Sequence, residues 1–331
     1  MHFIIIRFSS IGDIVLTTPV IRCLKQQVPN ATIHFVTKQS MKDVVKANPF
    51  IDHIYTFNTD DFDALLHNLN NKFAGILKSD IKIIDLHNNF RSAAIKRYFF
   101  GVKAYTFNKL SLRKIIYNML HINTLPSVHV VDRYMDTVKK FGVVNDGAGL
   151  NYFVPTLDEV NPADIPMALS AGYIGIVVGA SYFTKRMPTQ KLIALAQQIN
   201  YPIMLLGGAA DRAEATQIAA IDPIRIYNAC GKFNINESAD LVRRAKIIIS
   251  NDTGLMHIAA AYKKKVIALW GATVPAFGVA PYQTEHKNFI LNLGCQPCSK
   301  FGTNTCPKKH FNCMQQLNTL AIAAQAIEWL K

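Results

Sequence analysis

Two series of strand-length apolar runs, each alternating with segments of helical period, constrain this chain more than any other feature. In the first series HFIIIRF (2–8) reads as a buried strand. Residues 17–28 then place Val20, Ile21, Leu24 and Val28 on one helical face, with Thr17 or Thr18 as cap and Pro19 in the first turn. ATIHFVT (31–37) is a second strand, followed by a helix across 39–47 and a strand near His53–Phe57. IKIIDLH (81–87) is a strand and RSAAIKRYFF (91–100) a helix. Strands that alternate with helices predict a parallel sheet covered on both faces.

Residues 145–170, with three prolines and two glycines, interrupt the pattern and read as a connection between domains. The second series follows: strands at 172–180, 202–208, 245–252 and 265–273 and in RIYNACG, with helices at 188–199, in DRAEATQIAAI, at 236–245 and at 253–262. The chain closes on the helical LNTLAIAAQAIEWLK. The predicted organisation is two doubly wound α/β domains: 1–155, 156–315, and a terminal helix 316–331 that packs back on the first domain. A length of 331 residues agrees, because single cores stop growing near ~250–300 residues.

Half the residues are hydrophobic, which excludes a mostly disordered chain. The apolar runs IIIS (247–250), IGIVV (174–178) and VIALW (266–270) fall well short of the ~20 residues that span a bilayer. The start meets a charge at Arg7 and has no signal-peptide pattern, so a cytoplasmic location is expected. Lys and Arg number 36 against 22 Asp and Glu, a surplus of 14 that favours an anionic partner. Residues 78–114 carry nine basic residues against Asp80 and Asp85.

Ligands of open α/β sheets bind at the carboxyl ends of strands, and four strand ends here carry unusual polar residues. FSSIGD (8–13) has one glycine and Asp13, whose carboxylate is either a helix-start acid or a group facing a cleft. Without G-x-G-x-x-G it is not a dinucleotide fingerprint. GASYFTKRMP (179–188) sets Lys185 and Arg186 just before a helix start, where free N–H groups also favour an anion. SNDTGLMHIAAA (250–261) places Asp252, Thr253, Gly254 and His257 after a buried strand; Gly254 allows close approach of a phosphate. DLHNNFRS (85–92) groups His87, Asn88, Asn89 and Arg91 within the basic stretch, as an anion or sugar site or as a capped helix start.

Together these segments, with HVVDRY (129–134) and LLGGAADR, resemble glycosyltransferase family 9, the bacterial ADP-heptose:lipopolysaccharide heptosyltransferases, in order and spacing over nearly the whole chain. The resemblance implies a GT-B fold, two Rossmann-like domains facing a cleft, and an inverting transfer. The first domain would bind a lipid-linked acceptor and the second a nucleotide-sugar donor, ADP-heptose being expected. Asp13 matches the family's catalytic base and Lys185 its diphosphate lysine. The segment Asp252, Thr253, Gly254, Leu255, Met256 and His257 matches its donor-binding motif. Ser181 is assigned to phosphate contact, although the loop before Lys185 is shorter than the family's. Asp211 is assigned to the ribose, with Glu214 as the other choice. Ser9, Ser10, Gly12, His87, Asn89 and Arg91 are assigned to the acceptor.

In such a transfer a carboxylate takes the proton of the attacking hydroxyl, while a lysine and helix N–H groups meet the charge on the leaving diphosphate. No D-x-D pair ends a strand, so no metal is expected in catalysis. The anionic acceptor and the basic stretch suggest work at the cytoplasmic face of the inner membrane, without spanning it. Separately, Cys295, Cys298, Cys306 and Cys313 form a C-x2-C-x7-C-x6-C array, a candidate structural zinc site with His310 as a spare ligand; an iron–sulfur cluster or a reduced cysteine-rich loop are the other readings. Cys23 and Cys230 read as small core residues. Two other functions share part of this pattern. A nucleotide-sugar epimerase needs only the fold. A nucleic-acid binder with a zinc module would share the charge, but the chain lacks a reader motif, and no nucleic-acid partner is expected.

Overall fold

The computed structural model describes residues 1–331. In chain order the elements are β1 (His2–Ile6), α1 (Ile11–Val15), α2 (Thr18–Gln27), β2 (Thr32–Lys38), α3 (Lys42–Val45), β3 (His53–Phe57), α4 (Phe62–Phe73), β4 (Ile81–Asp85), α5 (Phe90–Tyr98) and β5 (Lys103–Thr106). There follow α6 (Ser111–Leu120), α7 (Val130–Met135), β6 (Ile174–Val177), α8 (Thr189–Gln198), β7 (Ile203–Leu206), α9 (Arg212–Ala219), β8 (Ile226–Asn228) and α10 (Ile235–Arg244). The last are β9 (Ile247–Asn251), α11 (Gly254–Ala261), β10 (Lys265–Leu269), β11 (His286–Phe289), α12 (Asn312–Gln315) and α13 (Thr319–Leu330).

They form two compact units, 1–109 with 128–153, and 110–127 with 154–331. Each is built on one parallel sheet, ordered β3-β2-β1-β4-β5 in the first and β11-β10-β9-β6-β7-β8 in the second. In each sheet the strand order reverses between two central strands, β1 and β4 in one, β6 and β9 in the other. That reversal leaves a crevice at the carboxyl ends of the pair, because the helices that follow them leave on opposite faces. The register aligns Ile6 with Asp85 and Val177 with Ser250, so the polar strand ends of the sequence reading lie side by side at the two switch points.

Continuous apolar runs make these strands because both faces are buried; every residue from Phe3 to Ile6 and from Ile247 to Ile249 is in the core. Helix α2 buries Val20, Ile21 and Leu24 as its period requires. Thr17 and Thr18 do not cap it through their side chains. Their hydroxyls instead donate to the carbonyls of Ile14 and Val15 at the end of α1, which the short α1-to-α2 turn brings within 2.7 Å.

Two expectations about organisation differ from what is found. The terminal helix α13 packs on α8, β9 and β10, and Ile322, Ala323 and Ala326 sit in the core of the second unit rather than on the first. Its apolar face completes the cover of that sheet. Residues 110–127, placed by sequence in the first domain, belong to the second unit. The start of the connection at 145–170 is pinned rather than free. Buried Arg22 grips both oxygens of Asp146 at 2.7 and 2.6 Å, donates to the Gly149 carbonyl at 2.9 Å and bonds Asn151. No helix is long and apolar enough to cross a membrane.

Candidate active site

The site in the first unit begins with Arg7, one residue past β1. Its side chain is buried, and its Nε donates to the Ser9 carbonyl at 2.9 Å. Nη1 donates to the Leu86 carbonyl at 2.6 Å and to the Tyr134 hydroxyl at 3.0 Å, and Nη2 pairs with Asp13 at 2.7 Å. One guanidinium thus ties the ends of β1 and β4 to α7 and aims the carboxylate of α1. The Ser10 amide and hydroxyl donate to the same Asp13 oxygen, Oδ2, at 3.2 and 3.0 Å. Oδ1 takes no hydrogen bond within the chain, and the side chain is 35% exposed. Partial burial works to raise the Asp13 carboxyl, but the Arg7 charge and the Ser10 donors outweigh it and hold it below its usual value. Asp13 is therefore an ionised carboxylate with one oxygen fixed and the other open.

The neighbouring 85–92 loop is organised by buried Asp85. Asp85 accepts from the amides of His87 and Asn88 at 3.0 and 2.7 Å and from the Ser92 hydroxyl at 2.8 Å, and it pairs with Lys96 at 2.8 Å. Asn89 is the cap of α5: its side chain accepts from the Ser92 amide at 2.9 Å. His87 packs on Phe8 with ring centroids 4.7 Å apart, and burial, with Arg7 and Lys109 nearby, lowers its pKa to about 4. Both residues, assigned by sequence to the acceptor, also hold the loop in shape. Arg91 keeps its cation over the Phe90 ring at 5.0 Å. Gly12 is buried in α1, and Ser9 and Ser10 form the turn into it.

In the second unit, the loop after β6 meets the end of β9. Asn251 is wholly buried; its amide donates to the Val177 and Val178 carbonyls at 3.2 and 3.3 Å, and its oxygen accepts from the Met187 amide at 3.2 Å. The next residue, Asp252, accepts from the Thr273 hydroxyl at 2.8 Å and pairs with the Lys185 ammonium at 2.8 Å, through the same oxygen. Thr253 is the N-cap residue of α11, and no side chain caps that helix. The first-turn N–H groups of α11 have no partner within their helix, and Lys185 is delivered beside them. Met256 is fully buried and His257 nearly so. Met256 is a core residue, and any donor contact of its own is confined to its backbone.

The Lys185 loop is clasped from below. Thr184 donates through its amide to the Thr303 carbonyl at 3.1 Å, accepts from the Thr303 amide at 2.8 Å, and offers its carbonyl to Ala272 at 3.0 Å. Gly302, at φ +101°, lies against the Lys185 stem: a Cβ there would come within 3.0 Å of Cγ and Cδ. The cysteine-bearing segment is thus the floor under the lysine.

On its other side the same loop borders a cavity of about 390 Å³, with Ser181, Arg186, Thr189 and Glu214 as polar lining and Phe183 and Phe311 paired at 4.7 Å as an apolar wall. Asp211, the residue assigned to the ribose, is not in this lining. It is buried, accepts from the Gly208 amide at 2.9 Å and faces Arg186 at 3.3 Å. Its carboxylate fills the space a side chain at Gly179 or Gly207 would need. Glu214, one turn on, is the acid that reaches the cavity.

The cysteine array lies in the second unit. No three His, Cys, Asp or Glu side chains are placed to hold a metal ion, and all six cysteines are free thiols. Cys313 is buried in the core of the second unit and Cys306 packs against it, while Cys295 Sγ lies 3.9 Å from His310 Nε2. Burial, with Cys298, Cys295 and Cys306 nearby, pushes the Cys313 thiol up to about 12.

Sequence reasoning missed Arg7, Tyr134, Asn251 and Thr184. Arg7 had a signal, a charge at the end of an otherwise apolar strand. Tyr134 acts through its hydroxyl on Arg7, and Asn251 and Thr184 through backbone contacts, none of which spacing reveals.

Residues 78–309 match the family profile of glycosyltransferase family 9 (heptosyltransferase). Lipooligosaccharide heptosyltransferase 2 of Campylobacter jejuni is 33% identical over 157 residues, a match that spans 46% of each chain, less than half the length of that relative. The Haemophilus influenzae protein of the same name is 27% identical over 303 residues, 84% of this chain and 85% of that one. The solved structure of Escherichia coli ADP-heptose lipopolysaccharide heptosyltransferase II superposes with a TM-score of 0.68 at 19% identity, covering 99% of this chain and all of the other. With two doubly wound units of the GT-B kind and a family match over most of its length, this chain belongs to glycosyltransferase family 9, the heptosyltransferases.

Proposed function

We propose that the protein transfers a heptose from ADP-heptose to the inner core of lipopolysaccharide with inversion at the anomeric carbon, at the cytoplasmic face of the inner membrane. One observation carries the reading: the Lys185 ammonium, held 2.8 Å from Asp252, stands beside the uncapped start of α11 at the switch point of the second sheet. That combination suits a diphosphate. ADP-heptose is the donor named for the Escherichia coli enzyme that shares this fold. Glu214 suits the ribose hydroxyls, since it is the carboxylate that lines the adjoining cavity together with Ser181.

The acceptor hydroxyl attacks the anomeric carbon as the bond from that carbon to the diphosphate oxygen breaks. The hydroxyl proton passes to Oδ1 of Asp13, the oxygen with no other bond. The electron pair leaves with the nucleoside diphosphate, whose added charge meets Lys185 and the α11 amides. Arg7 keeps Asp13 ionised and fixed in direction. The chemistry needs no step through a metal. Arg91 and the basic 78–114 stretch suit the phosphates of an acceptor. The epimerase reading rests on fold alone and the nucleic-acid reading on charge and the cysteine array; neither uses Asp13.

The test is thermal unfolding of the full chain with ADP, UDP, GDP and ADP-heptose. Adenine nucleotides should stabilise most, by about 2.7 kcal/mol at a hundred times the dissociation constant, and Lys185→Met should lose most of that gain. Equal stabilisation of wild type and Lys185→Met, or none by any nucleotide, contradicts the reading.

A further inference from the structure

Helix α6 is inside out. Four of its apolar residues, Leu112, Ile115, Ile116 and Met119, fall at i, i+3, i+4 and i+7, the spacing of a core-facing stripe. Yet none of its residues is buried. Leu112 and Met119 are 70% and 72% exposed, and Leu120 and Ile122 on the same flank 61% and 57%. The opposite side meets the protein: Tyr117 lies edge-on to Phe277 at 6.1 Å, the Lys114 ammonium sits 5.3 Å over the same ring, and the Asn118 side-chain oxygen is buried. A helix that turns lysine and asparagine inward and a leucine–methionine stripe outward presents a surface to something other than water.

Two observations select the occupant. First, α6 has ten residues, hence about 15 Å of length. One such stripe falls well short of the ~1,200–2,000 Å² that a stable protein interface buries. Second, no Asp or Glu occurs in 110–127, the segment of this unit that carries α6, while Arg113 and Lys114 do. Arg113, on the flank of the stripe, is exposed and donates to the Thr124 carbonyl at 3.2 Å. An apolar stripe with an exposed arginine on its flank, in a segment free of acidic residues, matches the interface of an anionic bilayer, where the stripe enters the headgroup boundary and the cation remains among the phosphates.

We infer that α6 is a membrane-docking helix that lays Leu112, Ile115 and Met119 into an anionic lipid surface. This rests on, and makes specific, the membrane placement in the proposed function. It does not depend on the transfer chemistry.

The experiment is flotation of the full-length protein with vesicles of phosphatidylcholine alone or mixed with phosphatidylglycerol, at low and high salt, without donor or acceptor. Wild type should float with the mixed vesicles at low salt. Leu112→Gln with Met119→Gln, which keeps helix propensity, should lower the partition by roughly tenfold or more. Leu157→Gln, at an exposed leucine elsewhere, should not change it. Stabilisation of each variant by ADP reports that the second unit is folded. If the double variant is stabilised like wild type and still floats like wild type, the inference is overturned. It is equally overturned if wild type itself does not float with the mixed vesicles, whether it is monomeric or dimeric in solution. A failure to bind any nucleotide, with flotation intact and lost in the double variant, would sink the proposed function and leave this inference standing.

Discussion

Replacing Arg7 with Met separates the positioning of Asp13 from its chemistry. Met keeps much of the apolar stem and removes all four hydrogen-bonding contacts. The Leu86 and Ser9 carbonyls and the Tyr134 hydroxyl then lack their donor, at about 1 kcal/mol each. Asp13 is about one-third exposed, so solvent limits the loss of its ion pair to under ~1 kcal/mol. The sum is about 3–4 kcal/mol, a large share of the ~5–15 kcal/mol that keeps a domain folded. The second consequence is a pH effect of known sign. Without the Arg7 charge the Asp13 carboxyl rises, because partial burial remains and only the Ser10 donors oppose it. A base must be ionised to act, so the acid limb of kcat/KM moves to higher pH. The associated stability, present above the unfolded carboxyl's pKa and lost as pH falls through the folded one, shrinks in the variant. Urea unfolding at neutral pH and a pH–rate profile measure the two effects, and a double-mutant cycle with Asp13→Asn isolates their coupling. An acid limb that stays in place, with near-zero coupling in the cycle, would refute the positioning argument.

Further outcomes are expected from the second unit. Glu214→Ala should raise the KM for donor by about tenfold to a hundredfold, as one charged hydrogen bond is lost, and leave kcat within a few fold; Asp211→Asn should lower the melting temperature without that selective change. Steady-state kinetics and calorimetry distinguish the two acids. Gly302→Ala forces a side chain to φ +101° and against the Lys185 stem. It should lower kcat/KM by about tenfold to a hundredfold while far-UV dichroism is retained, and ADP titration should show the weakened grip.

The two sheets were readable because their strands are unbroken apolar runs that need no partner to be recognised; Phe3–Ile6 and Ile247–Ile249 are the plainest. The polar ends of those strands marked the candidate site for the same reason: Asp13, Lys185 and Asp252 interrupt or follow apolar sequence where a sheet ends. What the residues at those ends do was less readable. Asp211 and Glu214 stand three apart in one turn, and only the packing of Gly179 and Gly207 against Asp211 decides which one is structural. Asn89 reads in the sequence as a ligand or as a cap, and in the fold it caps α5, because Ser92 lies three residues on. The cysteine spacing suggests zinc, and the fold brings Cys295, Cys298 and Cys306 near Cys313, which the core takes up. The terminal helix carried no label for the sheet it covers. Neither did α6, whose stripe alone predicts burial; only its orientation shows the stripe facing outward.

The base assignment is tested most directly by Asp13→Asn, a replacement close in size that cannot accept the proton. Transfer from donor to a truncated lipid acceptor should fall by about 10²–10⁴ in kcat, with donor binding by titration unchanged and the acid limb of the pH profile abolished. Turnover within a few fold of wild type, with that acid limb still present, would contradict it.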